Sequence, residues 1–112
     1  MTIHEVEEAG VLVLSPQGRI DSTTSSRLEQ HLSTAAGQGH RRVVVDFSQV
    51  DYISSAGLRV MLSLAKRARD QQGRAVLFGM NDGVRQVFEL AGFLALFTIA
   101  PARADAIQLA AV

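Results

Sequence analysis

The sequence reads Asp51-Tyr52-Ile53-Ser54-Ser55-Ala56-Gly57-Leu58-Arg59-Val60 where a short apolar run gives way to a long helical pattern. The apolar run is Val43–Val45, and the helical pattern continues to about Gln72. Ser54 and Ser55 lie where this helix should begin. Serine is a frequent N-cap, because its hydroxyl oxygen accepts a hydrogen bond from a free backbone N–H of the first turn. The same N–H groups and the positive end of the helix dipole also favour a phosphate. The two serines therefore indicate either a structural cap or a modification site.

The chain begins with the pattern of a β-hairpin. Residues Thr2–Glu7 alternate weakly between polar and apolar side chains, Gly10 interrupts them, and Val11–Leu14 resumes the apolar pattern. Two such segments around a short turn predict an antiparallel hairpin at the edge of a sheet. Pro16 has no N–H to donate and Gly18 tolerates unusual dihedral angles, so we expect a bulge or an irregular strand end there.

Capping residues mark the start of a first helix. Asp21–Thr24 is rich in them, and Asp21 is the expected N-cap. Leu28 and Leu32 follow at helical spacing. Gly37 or Gly39 should end this helix, since glycine readily adopts the left-handed conformation found at helix C-termini.

The rest of the chain alternates in the same way. Val43–Val45 is apolar on both faces, which is typical of a central parallel strand. After it, Val50 and Ile53 are expected to anchor a loop. The further predicted elements are a buried strand at Ala75–Phe78, a helix capped by Asn81 or Asp82 and ended by Gly92, a short strand from Leu94 to Ile99, and a last helix from Pro101 through Leu109.

Strands that alternate with helices predict an α/β fold with right-handed crossovers. The expected architecture is a single-layer mixed β-sheet, with an N-terminal antiparallel hairpin followed by parallel strands, packed with about four helices. We expect residues 1–112 to form a single domain, because one domain is usual for this length.

Functional groups of such sheets gather beyond the carboxyl ends of the parallel strands. The turns after Ile20 and after Phe47 both lie at such ends. We therefore expect the two turns to meet and to bring Asp21 close to Ser54 and Ser55.

Composition restricts the classes of function. The formal net charge is zero and acids are interspersed with bases, so no basic face for nucleic acid or an anionic membrane is predicted. The chain has no cysteine, which excludes disulfides and thiol chemistry. No apolar run approaches the ~20 residues of a membrane span, and the acidic N-terminal segment lacks the pattern of a signal peptide. We therefore expect a cytoplasmic protein without membrane insertion.

Enzyme signatures are absent from the sequence. It contains no Walker loop and no dinucleotide fingerprint, so no cofactor is expected. His4, His31 and His40 are scattered without metal-binding spacing, and no metal site is predicted. A small hydrolase that uses Ser55 is a poor alternative, because no catalytic base lies at a recognisable spacing and the glycine of a nucleophile elbow is missing.

These segments resemble the signature of the STAS family, the bacterial anti-sigma factor antagonists. That family shows an apolar strand, a short linker, an aromatic or apolar residue, then Asp-Ser-Ser-Gly-Leu or a variant of it, and then a helix. The matching segments here are Val43-Val44-Val45-Asp46-Phe47, Val50, Tyr52-Ile53 and Ser54-Ser55-Ala56-Gly57-Leu58. The similarity also covers Gly18–Asp21, Ala75–Phe78 and Val84–Phe93, and so extends over nearly the whole chain.

The resemblance implies a regulator that acts by partner switching. Such a protein binds an anti-sigma factor that is a serine kinase, and it thereby frees the sigma factor. The kinase phosphorylates the antagonist and ejects it, and a PP2C-type phosphatase restores binding. In the family, the serine two places before the Gly-Leu pair accepts the phosphate, and this serine is Ser55 here. The matching aspartate, Asp21, lies on the surface that meets the kinase.

Ser54, Gly57 and Arg59 are further expected partner contacts, whereas Met61 is assigned to the core. The family commonly has aspartate immediately before the phosphoacceptor, where this chain has Ser54. This departure leaves Ser54 as the alternative acceptor. It also keeps open a second function, that of a STAS scaffold or accessory subunit that is not phosphorylated, as in stressosome-like assemblies or lipid-transport ABC systems. The sequence also leaves a weak homodimer as an open alternative. Nucleic acid is not an expected partner.

Overall fold

A computed structural model describes every residue from Met1 to Val112. It contains six β-strands, four α-helices and one 3-10 helix. In chain order these are β1 (Thr2–Glu8), β2 (Val11–Ile20), α1 (Ser25–Gly37), β3 (Arg42–Asp46), β4 (Val50–Ile53), α2 (Ser55–Asp70), β5 (Arg74–Phe78), α3 (Asp82–Leu90), the 3-10 helix (Leu94–Leu96), β6 (Thr98–Ala100) and α4 (Arg103–Ala111). The alternation of strands and helices confirms the predicted α/β class.

All six strands belong to one mixed sheet. Its main path runs in the order β1, β2, β3, β5, β6, and β4 pairs with β2 away from this path. β1 is antiparallel to β2, and every other pair is parallel. The hairpin turn uses Ala9 and Gly10, which have φ angles of 56° and 76°. Positive φ at both turn residues gives a twist that matches the flanking strands. The predicted mixed sheet with an N-terminal hairpin is therefore confirmed.

The irregularity predicted in β2 lies where this strand stops pairing with β3 and begins to pair with β4. Leu12–Leu14 pairs with β3, whereas Gly18–Ile20 pairs with β4, and the register shifts between Gly18 and Arg19. Gly18 has a φ of 100°, and its N–H donates a hydrogen bond to the carbonyl oxygen of Gln49 at 2.9 Å. The shift confirms the expected bulge, and the strand continues through it to Ile20.

The prediction of a loop at Val50–Ile53 was wrong, because this segment is strand β4. β3 ends at Asp46 and leaves the last residues of β2 without a neighbour on that side. β4 fills this free edge, and Ile53 lies opposite Ile20 in a parallel ladder. The segment is too short to show strand periodicity, which is why the sequence pattern indicated a loop.

The chain after α3 also differs from the prediction. The first part of the expected strand, Leu94–Leu96, is a 3-10 helix, and the strand that pairs with β5 is limited to Thr98–Ala100. The N–H of Leu96 bonds to the carbonyl oxygen of Phe93 at 3.0 Å, and this turn allows Phe97 to enter the core. The last helix begins at Arg103, later than the predicted start.

The sheet is buried on both faces. The larger core cluster joins one face to α1, α2 and α3 and includes Val43 and Val45, while the smaller cluster joins the other face to α4 and includes Val44. This alternation agrees with the central parallel strand predicted from the three valines. Met61 is fully buried, in agreement with its assignment to the core. Every helix is too short or too polar to cross a lipid bilayer.

Candidate functional site

Ser54 is the N-cap residue of α2. Its backbone is extended, with φ −92° and ψ 175°, and its Oγ accepts a hydrogen bond from the N–H of Gly57 at 3.3 Å. Its carbonyl oxygen accepts a bond from the N–H of Leu58 at 2.9 Å, and its own N–H donates to the carbonyl oxygen of Ile20 at 2.8 Å. Ser54 is half-buried. It therefore acts as the structural cap that the sequence indicated for this turn.

Ser55 is the first residue within α2, and it is exposed. Its hydroxyl does not cap the helix, because the Oγ of Ser54 already accepts the capping hydrogen bond from the N–H of Gly57. The backbone N–H groups of a first helical turn have few acceptors within the helix, so they make this end of α2 electropositive. The two adjacent serines thus differ in role: one holds the helix end, and the other presents a hydroxyl to solvent.

Gly57 is buried and allows α2 to approach the sheet closely. A Cβ at this position would lie 2.7 Å from Ile20 Cγ2 and 2.7 Å from Ile53 Cγ1. The first turn of α2 therefore packs directly on the ends of β2 and β4. The sequence assigned Gly57 to a partner contact. Its burial means that it sets the position of α2 against the sheet and offers little surface of its own.

Asp21 closes the turn that follows β2. Its Oδ1 accepts hydrogen bonds from the Thr23 hydroxyl at 2.7 Å, the Thr23 N–H at 3.0 Å and the Thr24 N–H at 3.2 Å. α1 begins at Ser25 with Thr24 as its N-cap residue, so the prediction that Asp21 is the N-cap of α1 was wrong. The short turn Asp21–Thr24 separates β2 from the helix, and the carboxylate satisfies the N–H groups of that turn instead.

The hydrogen bond from the Thr23 hydroxyl, together with those from backbone N–H groups, holds the pKa of the Asp21 carboxyl below its ordinary value. Partial desolvation opposes this effect but does not cancel it. About a third of the side chain stays accessible, at 30%. The turn therefore presents an ionised carboxylate in a fixed orientation at neutral pH.

Two further residues of this edge, Arg19 and Tyr52, were not predicted as site residues. They face each other in the ladder between β2 and β4, and the guanidinium carbon of Arg19 lies 4.2 Å from the centre of the Tyr52 ring. The Nε of Arg19 also lies 3.8 Å from Oδ2 of Asp21. Both side chains are exposed. Their position beside the two motifs is the signal that could have identified them, since a cation stacked on an aromatic ring is common on interaction surfaces.

Arg59 is exposed on α2, four residues after Ser55. Residues at this spacing lie on the same face of a helix. The ion pairs of the chain join carboxylates to Arg19, His31, Arg67, Arg69 and Arg103. Arg59 takes part in none of them, so its guanidinium is available to an external group.

The sequence predicted that the turns after Ile20 and after Phe47 meet and bring Asp21 close to Ser54. The N–H of Ser54 bonds to the carbonyl oxygen of Ile20, and this bond joins the start of α2 to the end of β2. One detail of that prediction was wrong: the end of β4 at Ile53, and not the turn after Phe47, meets the end of β2. The cause is strand β4, which the sequence pattern did not reveal. Asp21 directly follows the peptide group that Ser54 binds.

Comparison with known proteins agrees with this fold. The model of the STAS domain family matches residues 3–106. A relative from Bordetella bronchiseptica, named as a candidate anti-sigma factor antagonist, BtrV, is 46% identical over 94 residues, which cover 84% of this chain and 81% of that protein. The chain belongs to the STAS-domain family of anti-sigma factor antagonists.

Solved structures show the same architecture. An anti-sigma factor antagonist from Mycobacterium paratuberculosis has a TM-score of 0.88 at 25% identity, over 97% of this chain and 92% of that chain. The phosphorylated form of SpoIIAA, a cell fate determinant from Bacillus, has a TM-score of 0.76 at 20% identity, over 96% of this chain and 98% of that chain. At 20% identity, the similarity to SpoIIAA shows the fold alone.

Proposed function

We propose that this chain is an anti-sigma factor antagonist that works by partner switching in the cytoplasm. The unphosphorylated protein binds an anti-sigma factor that is a serine kinase, and the sigma factor is released. The kinase phosphorylates Ser55, which ends the interaction, and a PP2C-type phosphatase restores the binding state. The observation that carries this proposal is the exposed hydroxyl of Ser55 beside the capping Ser54, in a chain of the STAS family.

Accessibility favours Ser55 over Ser54 as the phosphate acceptor. A kinase must reach the hydroxyl oxygen, and Ser55 is exposed whereas Ser54 is half-buried. The Oγ of Ser54 also accepts the hydrogen bond that caps α2. Its modification would disturb a cap, and the loss of a cap costs about 0.5–2 kcal/mol. Modification of Ser55 leaves that cap in place.

The proposed binding surface is the edge formed by the first turns of α2 and the turn after β2. It presents a fixed carboxylate at Asp21 and a free guanidinium at Arg59, together with the accessible edges of Ser54 and Ser55. Charges of both signs favour a partner with a complementary pattern and disfavour other partners. Gly57 contributes from the inner side by setting the position of α2.

The proposed switch is local and electrostatic. A phosphate on serine adds about −1.5 to −2 charges at pH 7. The N-terminus of α2 accepts such a charge without unfolding, because its amides and dipole favour an anion. The same charge within an interface is repelled unless the partner supplies a cation. The fold therefore persists while the binding surface is lost. SpoIIAA in its phosphorylated form has a similar fold.

The test is phosphorylation by the cognate kinase with ATP, followed by tandem mass spectrometry to locate the phosphate. Ser55→Ala should abolish incorporation, and Ser54→Ala should retain it. Ser26→Ala is a matched control, because Ser26 is also an exposed serine in the first turn of a helix, α1. Phosphate found mainly on Ser54, or unchanged incorporation in Ser55→Ala, would contradict the proposal.

The scaffold function is the second candidate, and the observation that favours it is Ser54 in the place of the usual aspartate. In that case the two serines serve only to begin α2, and the cognate kinase leaves both unmodified. Co-purification from the native host separates the two functions. Recovery of a serine kinase supports the switch, whereas recovery of a membrane ATPase supports an accessory subunit.

A further inference from the structure

We propose that the guanidinium of Arg59 forms an ion pair with the phosphate on Ser55 within the same chain. We call this ion pair the latch. This inference rests on the proposed modification of Ser55. Residues four apart on a helix are neighbours, and helical Cα–Cβ bonds tilt towards the N-terminus. The Cα–Cβ bond of Arg59 is therefore directed towards the turn that begins with Ser55, and its guanidinium can reach a phosphate there. An acid placed four residues before a base is also the more favourable order of such a pair.

The guanidinium of Arg59 is free to make this contact. Elsewhere on α2, Arg67 pairs with Glu29 and Arg69 pairs with Asp70. Arg59 is exposed and has no carboxylate partner. A phosphate on Ser55 therefore does not have to displace a carboxylate of the chain from this guanidinium. The planar guanidinium can also bind two phosphate oxygens at once through two parallel N–H groups, a geometry that an ammonium group lacks.

The latch changes what phosphorylation does to the binding surface. Before modification, the guanidinium of Arg59 is available to an acidic group of the partner. After modification, the phosphate of Ser55 holds it within the chain. Phosphorylation thus adds a negative charge to the surface and withdraws a positive one at the same time. Both changes disfavour a partner that was complementary to the unmodified edge.

The test installs phosphoserine at position 55 during translation by genetic encoding, so that no kinase is needed. Phosphorus NMR then follows the second ionisation of the phosphate in the Arg59, Arg59→Lys and Arg59→Gln proteins. A nearby guanidinium favours the dianion, so we expect the ratio of dianion to monoanion at a given pH to be about twofold higher, or more, with Arg59 than with Arg59→Gln. Arg59→Lys should keep part of this difference, because it keeps the charge but loses the planar fork.

Lys66→Gln is the matched control, because it removes an exposed cation from the same helix but farther from Ser55. It should leave the titration unchanged. The carboxylates of Asp21 and Asp51 are present in every variant, so their effect cancels in the comparison. Added salt should narrow the difference between Arg59 and Arg59→Gln, because it screens exposed charges.

Equal titrations in the Arg59 and Arg59→Gln proteins overturn the latch. An equal effect of Lys66→Gln also overturns it, because the difference then comes from the general charge of the helix. The result of this titration does not depend on whether the kinase modifies Ser55. If the cognate kinase ignores Ser55 but the titrations differ, the proposed function fails and the contact between the two residues stands. If the kinase modifies Ser55 but the titrations agree, the latch alone fails.

Discussion

The backbone N–H of Ser54 donates a hydrogen bond of 2.8 Å to the carbonyl oxygen of Ile20, and this contact ties the start of α2 to the end of β2. Ile53, the residue before Ser54, lies opposite Ile20 in the parallel ladder. Gly57 packs against both isoleucines. The backbone position of Ser55 is therefore fixed by two strands as well as by its own helix.

We expect Gly57→Ala to destabilise the protein. The added methyl group would lie 2.7 Å from Ile20 Cγ2 and from Ile53 Cγ1, and both isoleucines are buried in the larger core cluster. Overpacking of this kind typically costs about 1–3 kcal/mol. Each kcal/mol lowers the melting temperature of a chain of this size by roughly 4 °C, which thermal unfolding can measure.

Gly83→Ala provides the control for this prediction. Gly83 is an exposed glycine in α3, and the nearest atom to an added Cβ is Asn81 Oδ1 at 3.5 Å, an ordinary contact. Alanine is the better helix former, so this variant should keep or raise the melting temperature. A similar loss of stability in both variants would show that the close approach at Gly57 is not the cause.

Asp21→Asn should fold normally but bind the kinase less tightly and be phosphorylated more slowly. The amide oxygen of asparagine can still accept hydrogen bonds from Thr23 and Thr24, so the turn after β2 is retained. The variant loses the negative charge that the turn presents. Kinase affinity is measured by calorimetric titration, and Asp70→Asn, at the far end of α2, serves as the control for a lost carboxylate. Unchanged affinity in Asp21→Asn would limit this residue to a structural role.

The lowered pKa of Asp21 predicts a pH dependence of stability. The folded state favours the ionised carboxyl group, whose ordinary pKa is 3.8. Its contribution is therefore complete above that value and is lost as the pH falls through the lower pKa of the folded state. We expect the unfolding free energy of the wild type to exceed that of Asp21→Asn by more at about pH 6 than at about pH 2. Urea unfolding at both pH values measures this difference, and a constant difference would contradict the prediction.

We expect no catalytic turnover from the purified protein. The histidines lie on β1, on α1 and in the segment after α1, and His31 is paired with Glu5. The side-chain hydrogen bonds of the protein include none between the Ser55 hydroxyl and a histidine or a carboxylate that could act as its base. Assays with ester and phosphate substrates should show equal background for the wild type and Ser55→Ala. Reproducible hydrolysis that disappears in Ser55→Ala would contradict this prediction.

Local patterns were enough to predict the features that depend on neighbouring residues. The three valines of β3 indicate burial on both faces, and the adjacent serines indicate the start of α2, because both signals come from a few consecutive positions. Asp21 was also recognised as a capping residue. The predicted start of α1 at Asp21 was wrong by about one turn. Aspartate makes the same hydrogen bonds when it caps a tight turn as when it caps a helix, so the sequence does not distinguish the two.

The features that the sequence did not predict depend on pairing between distant segments. β4 exists because β3 ends early and leaves an edge of β2 free, and no local pattern of Val50–Ile53 contains that information. The contact between Arg19 and Tyr52 follows from the same ladder. These two residues become neighbours only when the register between β2 and β4 is known.

We expect phosphorylation of Ser55 to change partner binding far more than stability. Ser55 is exposed, and the phosphate meets the amides of the first turn of α2, so the free energy of unfolding should change by only about 1 kcal/mol and the melting temperature by a few degrees. Ser55→Ala should fold, resist phosphorylation and bind the kinase constitutively. Ser55→Asp should also fold, since an acid is favourable in the first turn of a helix, but it should bind the kinase more weakly.

Ser55→Asn separates the effect of charge from that of size, because asparagine has the shape of aspartate without its charge. If charge ends the interaction, Ser55→Asn should bind the kinase more tightly than Ser55→Asp, while both melt at similar temperatures. Calorimetric titration and thermal unfolding provide the two measurements. Equal kinase affinity before and after phosphorylation would contradict the electrostatic switch. A large fall in melting temperature on phosphorylation would indicate instead that the phosphate acts by disrupting the fold, because a surface charge at a helix N-terminus should not have that effect.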